Sequence, residues 1–196
     1  MVSRRHLIAG FGTLAGAAAV SAAPIMSVGG SMGDANRASV DEWLAKEEIA
    51  ELRRLYGRAT DLIGLDTEAS VEQGRKIYHR VFTPDAKIGA TGQPGVTGPD
   101  AWVKVVNDAL RPYQDTQHLM GTQLVEIVQL PDEQGAGGEA SMTSYLQAWH
   151  AKADGEVWLF IGTYYDKVRY TPGTGWQVYD MSLDQVSGET RKLGVV

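Results

Sequence analysis

Hydrophobic residues recur at helical spacing in the first half of the chain. Ser39 can cap a helix, and the apolar stripe that follows repeats every three or four residues until Gly64 offers a stop. A second helix is predicted over residues 68–81, ended by Pro84, and a third over about residues 99–110 with a proline in its first turn. The stripe of the first helix consists of Ile49, Leu52, Tyr56, Ala59 and Ile63.

The second half of the chain changes to the alternating pattern of strands. Asp154-Gly155, flanked by alternating apolar residues, predicts a tight hairpin between two of the strands. Helices followed by long antiparallel strands indicate an α+β fold, in which a curved sheet wraps over the N-terminal helices and leaves a cone with an open mouth. Long strands are predicted at residues 118–130, 140–152, 156–170 and 176–183, and a shorter one at about residues 86–90.

The first residues of the chain carry the features of an export signal. A short basic segment with Arg4 and Arg5 precedes an apolar stretch rich in alanine and glycine, followed by small residues. Two arginines before two aliphatic residues resemble a Tat-type signal, with ordinary Sec export as the alternative. We therefore expect a periplasmic protein that has no membrane contact after cleavage. The expected segments are a signal peptide (1–23), a flexible leader (24–38), a domain (39–186) and a C-terminal tail (187–196).

Composition excludes several classes of function. With 43% hydrophobic and 21% charged residues among 196, the chain has the make-up of one globular domain. Its 24 acidic and 18 basic residues give a net charge of −6, and no basic cluster is present, which argues against a nucleic-acid partner. The absence of cysteine excludes disulfides and thiolate chemistry. Because the histidines also lack metal-ligand spacing, we expect neither a metal nor a cofactor.

Three histidines remain once the export signal is set aside. His79 lies on the second predicted helix as a solvated side chain. His118 begins a predicted strand, and the period of two places His150 on an apolar strand face with Leu146 and Ala148. An imidazole on an apolar face needs a polar partner, either as a satisfied core histidine or as a general acid or base.

Asp61 lies near the C-terminal end of the first predicted helix, where the helix dipole repels a carboxylate. It therefore either faces water or has a specific cationic or hydrogen-bonded partner. Contact with His118 would hold the imidazole tautomer and stabilise the imidazolium, which makes an acid–base pair. Tyr56 precedes Asp61 by five residues, about 140° around an ideal helix, so both reach one site only if the helix end unwinds or the pocket is wide.

Short motifs occur in a fixed order along nearly the whole predicted domain. They are the helix pattern Ile49…Tyr56…Asp61, the junction Phe82-Thr83-Pro84-Asp85-Ala86, Gly98-Pro99, Thr116-Gln117-His118-Leu119-Met120-Gly121, Tyr145-Leu146-Gln147-Ala148-Trp149-His150, and Gly162-x-Tyr164-x-Asp166 before Gly175-Trp176. This series, from about Val40 to Leu183, resembles the SnoaL-like proteins of the nuclear transport factor 2-like superfamily. The resemblance implies a cone-shaped α+β barrel.

Within that superfamily the chain resembles the dehydratase-like branch, which includes scytalone dehydratase, bile-acid 7α-dehydratase and hexachlorocyclohexane dehydrochlorinase. The resemblance implies that Asp61 and His118 form the acid–base pair, with His150 and Tyr56 as further catalytic residues. Two features depart from the family pattern. The segment that follows Asp61 is longer than in compact relatives, and Met181 stands where many SnoaL-like chains have arginine.

The sequence thus predicts a cofactor-free lyase for a small hydrophobic, aromatic or alicyclic substrate, which loses water, halide or, in a retro-aldol variant, formaldehyde. His118 would be the base and Asp61 its orienting partner, while His150 or Tyr56 would protonate or hold the leaving group. Two alternatives remain open. One is a non-catalytic small-molecule-binding module with the same cone, and the other is a polyketide-cyclase or isomerase-type enzyme.

The predicted strand that carries His150 has a second aromatic face. Alternation places Tyr145 and Trp149 opposite His150. An antiparallel sheet usually exposes one face to water, so large aromatic residues on that face need a cover. Because the convex sheet often packs against another subunit in this superfamily, we expect a homodimer or a higher homo-oligomer.

Overall fold

The computed structural model describes residues 32–192, with side chains from residue 36 onwards, so the predicted signal peptide lies outside the described part. Within this part the chain forms three α-helices and one six-stranded sheet, which confirms the α+β prediction. No helix among these residues is long and apolar enough to cross a membrane. The elements are α1 (Met32–Gly64), α2 (Glu68–Val81), β1 (Phe82–Ala90), β2 (Val96–Thr97), α3 (Pro99–Leu110), β3 (Asp115–Pro131), β4 (Gly137–Ala151), β5 (Glu156–Thr171) and β6 (Gly175–Lys192).

All the described strands belong to one sheet in the order β2-β1-β6-β5-β4-β3. The four long strands β3 to β6 pair in antiparallel fashion, whereas β1 pairs with β6 in parallel and with β2 in antiparallel orientation. The predicted hairpin joins β4 to β5, with Ala151 opposite Val157. Gly155 in its turn has a φ of 82°, a conformation that favours glycine. The hairpin prediction at Asp154-Gly155 is therefore confirmed.

The core lies between the helices and one face of the sheet. Every residue of the predicted α1 stripe is buried, which confirms its helical spacing. Trp102 and Val106 of α3 and Leu146 and Phe160 of the sheet belong to the same cluster of buried side chains. Because α1 runs across the inner sheet face, its C-terminal half is positioned to contribute side chains to a cavity inside the cone.

Helices α2 and α3 have the bounds that the sequence predicts, because local signals define their ends. Thr67 and Ser70 form a capping box at the start of α2, and Pro99 opens α3 after Gly98. Pro84 lies beyond the end of α2 and inside β1, which begins earlier than predicted. The pairing of β1 with β6 shifts its register between Phe82 and Lys87, so a residue without an N–H is tolerated there.

Two predicted boundaries are wrong. Helix α1 begins at Met32, so residues 32–38 of the expected leader are helical. This segment contains no proline and several good helix formers, but it lies outside the hydrophobic stripe that reveals the rest of the helix. Strand β6 continues to Lys192, so residues 187–192 of the expected tail pair with β5. These residues are exposed and polar, and no alternation of hydrophobicity marks them as a strand.

The outer sheet face carries large exposed hydrophobic side chains, so we predict self-association through it. Leu119, Leu124, Tyr145 and Tyr165 are 59%, 62%, 56% and 49% exposed. We expect light scattering after size exclusion to give twice the mass of the chain or a higher multiple, because burying this patch releases water from apolar surface. Tyr145→Glu should lower the mass to that of one chain. A clean monomer for the wild type would refute the prediction.

Candidate active site

A mainly apolar cavity of about 110 Å³ lies between the inner sheet face, α1 and α3. Three of the predicted site residues, Tyr56, His118 and His150, lie on its wall. The fourth, Asp61, is hydrogen-bonded to His118 and lies behind it. The apolar wall includes Trp102, Leu110, Leu146, Trp158, Phe160 and Leu183.

Asp61 and His118 are in direct contact, as predicted. The imidazole Nδ1 donates to Asp61 Oδ1 over 2.7 Å, and the backbone N–H of His118 donates to Oδ2 over 3.3 Å. The Thr116 hydroxyl donates a further hydrogen bond of 3.2 Å to Oδ1. These three donors stabilise the carboxylate at the helix end where the dipole disfavours it. Of the two alternatives for Asp61, exposure to water or a specific hydrogen-bonded partner, the structure shows the second.

Two glycines let α1 approach β3 closely on either side of this contact. A Cβ atom at Gly57 would lie 3.0 Å from Met120 Cε and 3.3 Å from the His118 carbonyl oxygen. A Cβ atom at Gly64 would lie 2.8 Å from the Thr116 hydroxyl oxygen. Gly57, Asp61 and Gly64 are four and three residues apart, so they share one helix face. We call this contact between α1 and β3 the glycine seam, and it holds Asp61 within reach of His118.

The hydrogen bond to Asp61 determines which nitrogen of His118 can act as a base. Because a carboxylate only accepts hydrogen bonds, Nδ1 carries the proton and Nε2 keeps its lone pair in the neutral ring. Nε2 has no hydrogen-bond partner within residues 32–192, and the ring lies on the cavity wall. The His118 side chain is only 7% exposed. This arrangement can take a proton from a molecule inside the cavity while Asp61 stabilises the resulting imidazolium.

His150 lies beside His118 in a more enclosed environment. Its Nδ1 is 3.1 Å from the Trp158 carbonyl oxygen and donates to it, and the two imidazole rings are 5.4 Å apart, edge to face. Burial, together with the neighbouring His118, lowers the pKa of His150 from 6.5 to about 4. His150 is therefore neutral at physiological pH, and its Nε2 is a hydrogen-bond acceptor rather than an acid.

Tyr56 reaches the same cavity without any unwinding of α1, which continues to Gly64. Its side chain is buried, and its ring stacks on Tyr78 at a centroid distance of 5.2 Å. The Trp102 indole N–H donates to the Tyr56 hydroxyl oxygen over 3.2 Å. The cavity is wide enough for Tyr56 and His118 to line it together, while Asp61 reaches the site only through His118. Tyr56 and Asp61 can therefore point in different directions from α1, because only Tyr56 lines the cavity itself.

The site's polar groups do not form a cluster of metal ligands. Among residues 32–192, no three His, Asp or Glu side chains are grouped so that they could hold a metal ion. The Nδ1 atoms of His118 and His150 are both engaged, one by Asp61 and the other by a backbone carbonyl. With its Nδ1 held by Asp61, His118 can exchange a proton through Nε2 with a molecule in the cavity.

Most of the chain matches one protein family, because residues 41–182 fit the model of the SnoaL-like domain. The chain belongs to the SnoaL-like family. This confirms the resemblance to SnoaL-like proteins, and the fold is shared with a solved NTF2-like protein. A search of curated proteins finds no match to the SnoaL-like chain.

Solved structures share the fold of this SnoaL-like protein at low sequence identity. Hexachlorocyclohexane dehydrochlorinase LinA-type3 from Novosphingobium barchaimii LL02 is 12% identical, with a TM-score of 0.64 over 81% of this chain and 98% of its own. A candidate scytalone dehydratase from Novosphingobium aromaticivorans is 18% identical, with a TM-score of 0.60 over 81% and 93%. An NTF2-like protein with a cystatin-like fold from the same species is 16% identical, with a TM-score of 0.61 over 82% and 93%.

A buried ion pair lies beneath the cavity of this SnoaL-like protein. Arg53 and Asp166 are 1% and 3% exposed, and Arg53 Nη2 donates to Asp166 Oδ1 over 2.5 Å. The guanidinium carbon is 3.7 Å from the ring centroid of Tyr164 and 4.7 Å from that of Tyr56. Arg53 Nη1 is 3.6 Å from the sulfur of Met181, the residue that departs from the family pattern. The pair thus supports two tyrosines of the cavity wall from behind.

Sequence reasoning missed this ion pair, although a signal for it exists. Arg53 lies between the buried Leu52 and Tyr56 on α1, and Asp166 alternates with Tyr164 on the inner face of β5. A charged residue at an apolar position is rarely buried without an opposite charge beside it. Two such residues of opposite charge therefore predict a buried pair, although 113 residues separate them.

We expect the free energy of unfolding to decrease as the pH drops from 6.5 towards 4, because His150 stays neutral in the folded state. Between these values the unfolded chain binds a proton at His150 that the folded chain does not, so acid favours unfolding. The loss should reach about 3 kcal/mol near the lower limit. Urea unfolding of the wild type and His150→Gln measures it, with exposed His79→Gln as the control. An equal loss in His150→Gln would assign the acid sensitivity to other groups.

Proposed function

We propose that this SnoaL-like protein is a cofactor-free lyase that eliminates a leaving group from a small cyclic substrate. The observation that carries the proposal is the Asp61–His118 contact at the wall of an apolar cavity, with Nε2 of His118 free to take a proton. A base in an enclosed apolar site acts on a weakly acidic C–H group more effectively than the same base in water. Dehydrochlorinase and dehydratase neighbours with this fold support the same class of reaction.

The proposed reaction moves one proton onto the enzyme and one proton off it. His118 Nε2 removes a proton from a substrate carbon, and the C–H electron pair forms the new double bond as the bond to the leaving group breaks. The leaving oxygen takes the hydroxyl proton of Tyr56 and departs as water. Transfer of the proton from His118 back to Tyr56 through bound water restores both residues. Asp61 stabilises the imidazolium between these steps.

The environments of His150 and Tyr56 support different roles for them. His150 has a pKa lowered to about 4, so it carries no extra proton to donate at neutral pH, whereas its Nε2 can accept a hydrogen bond from a substrate hydroxyl. Tyr56 has a hydroxyl hydrogen and lies on the same wall. We therefore assign proton donation to Tyr56 and substrate holding to His150.

The size of the cavity supports a substrate with a single ring. A dry cavity of about 150 Å³ lined by aliphatic and aromatic side chains accommodates benzene. The cavity here is open to solvent at its mouth, and its volume of about 110 Å³, lined by Trp102, Trp158 and Phe160, is of the same order. A ring can pack against these aromatic walls while its polar substituents meet Tyr56 and the two histidines.

A β-hydroxycyclohexanone tests the proposal, because its ring fits the cavity and its α-proton is acidic. We expect the wild type to convert it to the conjugated enone with loss of water, measured by ultraviolet absorbance and mass spectrometry. In heavy water, the unsubstituted cyclohexanone should exchange its α-protons for deuterium faster with the wild type than with His118→Ala. If cyclohexanone binds but neither exchange nor loss of water is accelerated, the protein is a binding module and the lyase proposal is wrong.

A further inference from the structure

Tyr56 and Trp102 form a buried pair between two helices that face the cavity. Tyr56 belongs to α1 and Trp102 to α3, and each is 2% exposed. The indole Nε1–H donates to the Tyr56 hydroxyl oxygen over 3.2 Å. Both residues also lie on the cavity wall. An indole N–H only donates hydrogen bonds, so in this pair the phenol oxygen is the acceptor and its own hydrogen is not used.

The surroundings leave the Tyr56 hydrogen available to a molecule in the cavity. Within residues 36–192 no hydrogen bond of ordinary geometry has the Tyr56 hydroxyl as its donor, although the hydroxyls of Tyr78 and Tyr164 are its neighbours. The neighbouring Tyr78 hydroxyl is 2.7 Å from the Thr60 hydroxyl, which itself donates over 2.8 Å to the Tyr56 backbone carbonyl. Tyr78 is therefore the donor to Thr60, while its oxygen keeps a lone pair that can accept the Tyr56 hydrogen, as can the Tyr164 oxygen. The indole thus occupies a lone pair of the Tyr56 oxygen, and a substrate oxygen in the cavity competes with the Tyr78 and Tyr164 hydroxyls for the Tyr56 hydrogen.

We propose that Trp102 is a positioning residue that makes Tyr56 the proton donor of the elimination. This inference rests on the proposed function, which it deepens. When the O–H bond of Tyr56 breaks and its proton joins the leaving oxygen, the phenolate keeps the indole N–H as a preformed donor. A hydrogen bond to a charged group is stronger than one to a neutral group, so Trp102 stabilises the transition state more than the bound substrate. The Arg53 guanidinium, 4.7 Å from the Tyr56 ring centroid, favours the same charge.

Infrared spectroscopy of bound cyclohexanone tests the pair without any need for turnover. Cyclohexanone lacks the leaving oxygen, so its carbonyl oxygen is the one acceptor it offers to Tyr56, and we expect its stretching frequency to report the strength of that donor. We expect the lowest frequency in the wild type, a higher one in Trp102→Phe, and the highest in Tyr56→Phe. The double variant should equal Tyr56→Phe alone. Trp176→Phe, which removes a buried indole that packs on Tyr170, is the matched control and should leave the frequency unchanged.

Kinetics with β-hydroxycyclohexanone test the catalytic consequence. Trp102→Phe should lower kcat by about tenfold or more with little change in KM, because the lost hydrogen bond acts mainly on the phenolate. In the Tyr56→Phe background the same substitution should have no further effect on kcat. Additive losses, or an effect equal to that of Trp176→Phe, would overturn the proposal and leave a structural role for Trp102.

The two proposals fail in different ways. If the wild type catalyses the elimination but Trp102→Phe changes neither carbonyl frequency nor kcat, the inference on Trp102 is wrong while the lyase assignment stands. If the wild type lowers the carbonyl frequency through Tyr56 and Trp102 but never eliminates water, the lyase assignment is wrong, and with it the role of the pair in elimination. No saturable carbonyl shift in the wild type would contradict the donor geometry itself.

Discussion

Replacement of His118 by alanine is expected to lower kcat by about 10²–10⁴-fold or more, with little change in KM. The free Nε2 of His118 is the proposed base at the cavity wall, so its removal should act on the transition state rather than on the apolar contacts that bind the ring. Steady-state kinetics with β-hydroxycyclohexanone measure both constants. His79→Ala is the control, since His79 is an exposed residue that lies against Asp100.

Asp61→Asn should impair the same step, the removal of a proton by His118. The asparagine keeps the size of the side chain but removes the negative charge that stabilises the imidazolium, so kcat should fall strongly. Combination of Asp61→Asn with His118→Ala should cost little more than His118→Ala alone, because two residues that act as one unit are not additive. Undiminished turnover by His118→Ala would mean that another residue is the base.

Removal of Asp166 is expected to lower the free energy of unfolding by about 3–5 kcal/mol, because it leaves the Arg53 charge buried without a counter-charge. Both partners are nearly inaccessible to solvent, and the guanidinium is enclosed by Tyr56 and Tyr164. Urea unfolding of Asp166→Leu measures the loss. The double variant Arg53→Met/Asp166→Leu should recover much of it, since apolar side chains of similar size can replace a buried pair.

An exposed ion pair on the same strand provides the matched control for Asp166. Arg169 of β5 binds Asp85 over 2.5 Å, and both side chains are well exposed. Because water and salt screen this pair, Asp85→Ala should leave the unfolding midpoint nearly unchanged. Equal losses for the exposed and buried pairs would show that Arg53 is solvated after all, and would contradict the description of the pair as buried.

Local signals account for the parts of the fold that the sequence predicts well. A capping residue and a proline act on the backbone next to them, so a few positions are enough to predict the bounds of α2 and α3. Strand alternation likewise places His150 on the cavity side. The start of α1 and the end of β6 are not predictable in this way, because residues 32–38 and 187–192 carry no hydrophobic pattern. Their structure depends on helix propensity and on a strand already present beside them.

The candidate site likewise has one part that sequence signals predict and another part that they do not. The position of Asp61 at a helix end indicates that it either faces water or has a specific partner, and the family resemblance points to His118. The sequence pattern does not predict the pairing of Trp102 with Tyr56. The two residues are 46 positions apart, and each has the pattern of an ordinary core residue. Contacts of this kind depend on how α3 packs against α1, which no local pattern encodes.

The glycine seam limits where an acid–base pair can exist in this fold. Side chains on one helix face are spaced by about 6 Å over four residues, and those on one strand face by about 6.6 Å over two. The two spacings therefore stay matched over only a few contacts. A shift of the acid by one residue turns it about 100° away from β3, and a shift of the histidine by one residue moves it to the outer sheet face. Gly57 and Gly64 are the neighbouring positions on the same helix face. A Cβ atom added there would lie 3.0 Å and 2.8 Å from side-chain atoms of β3. Asp61 and His118 therefore meet between two positions of α1 where the helix lies too close to β3 for a larger side chain.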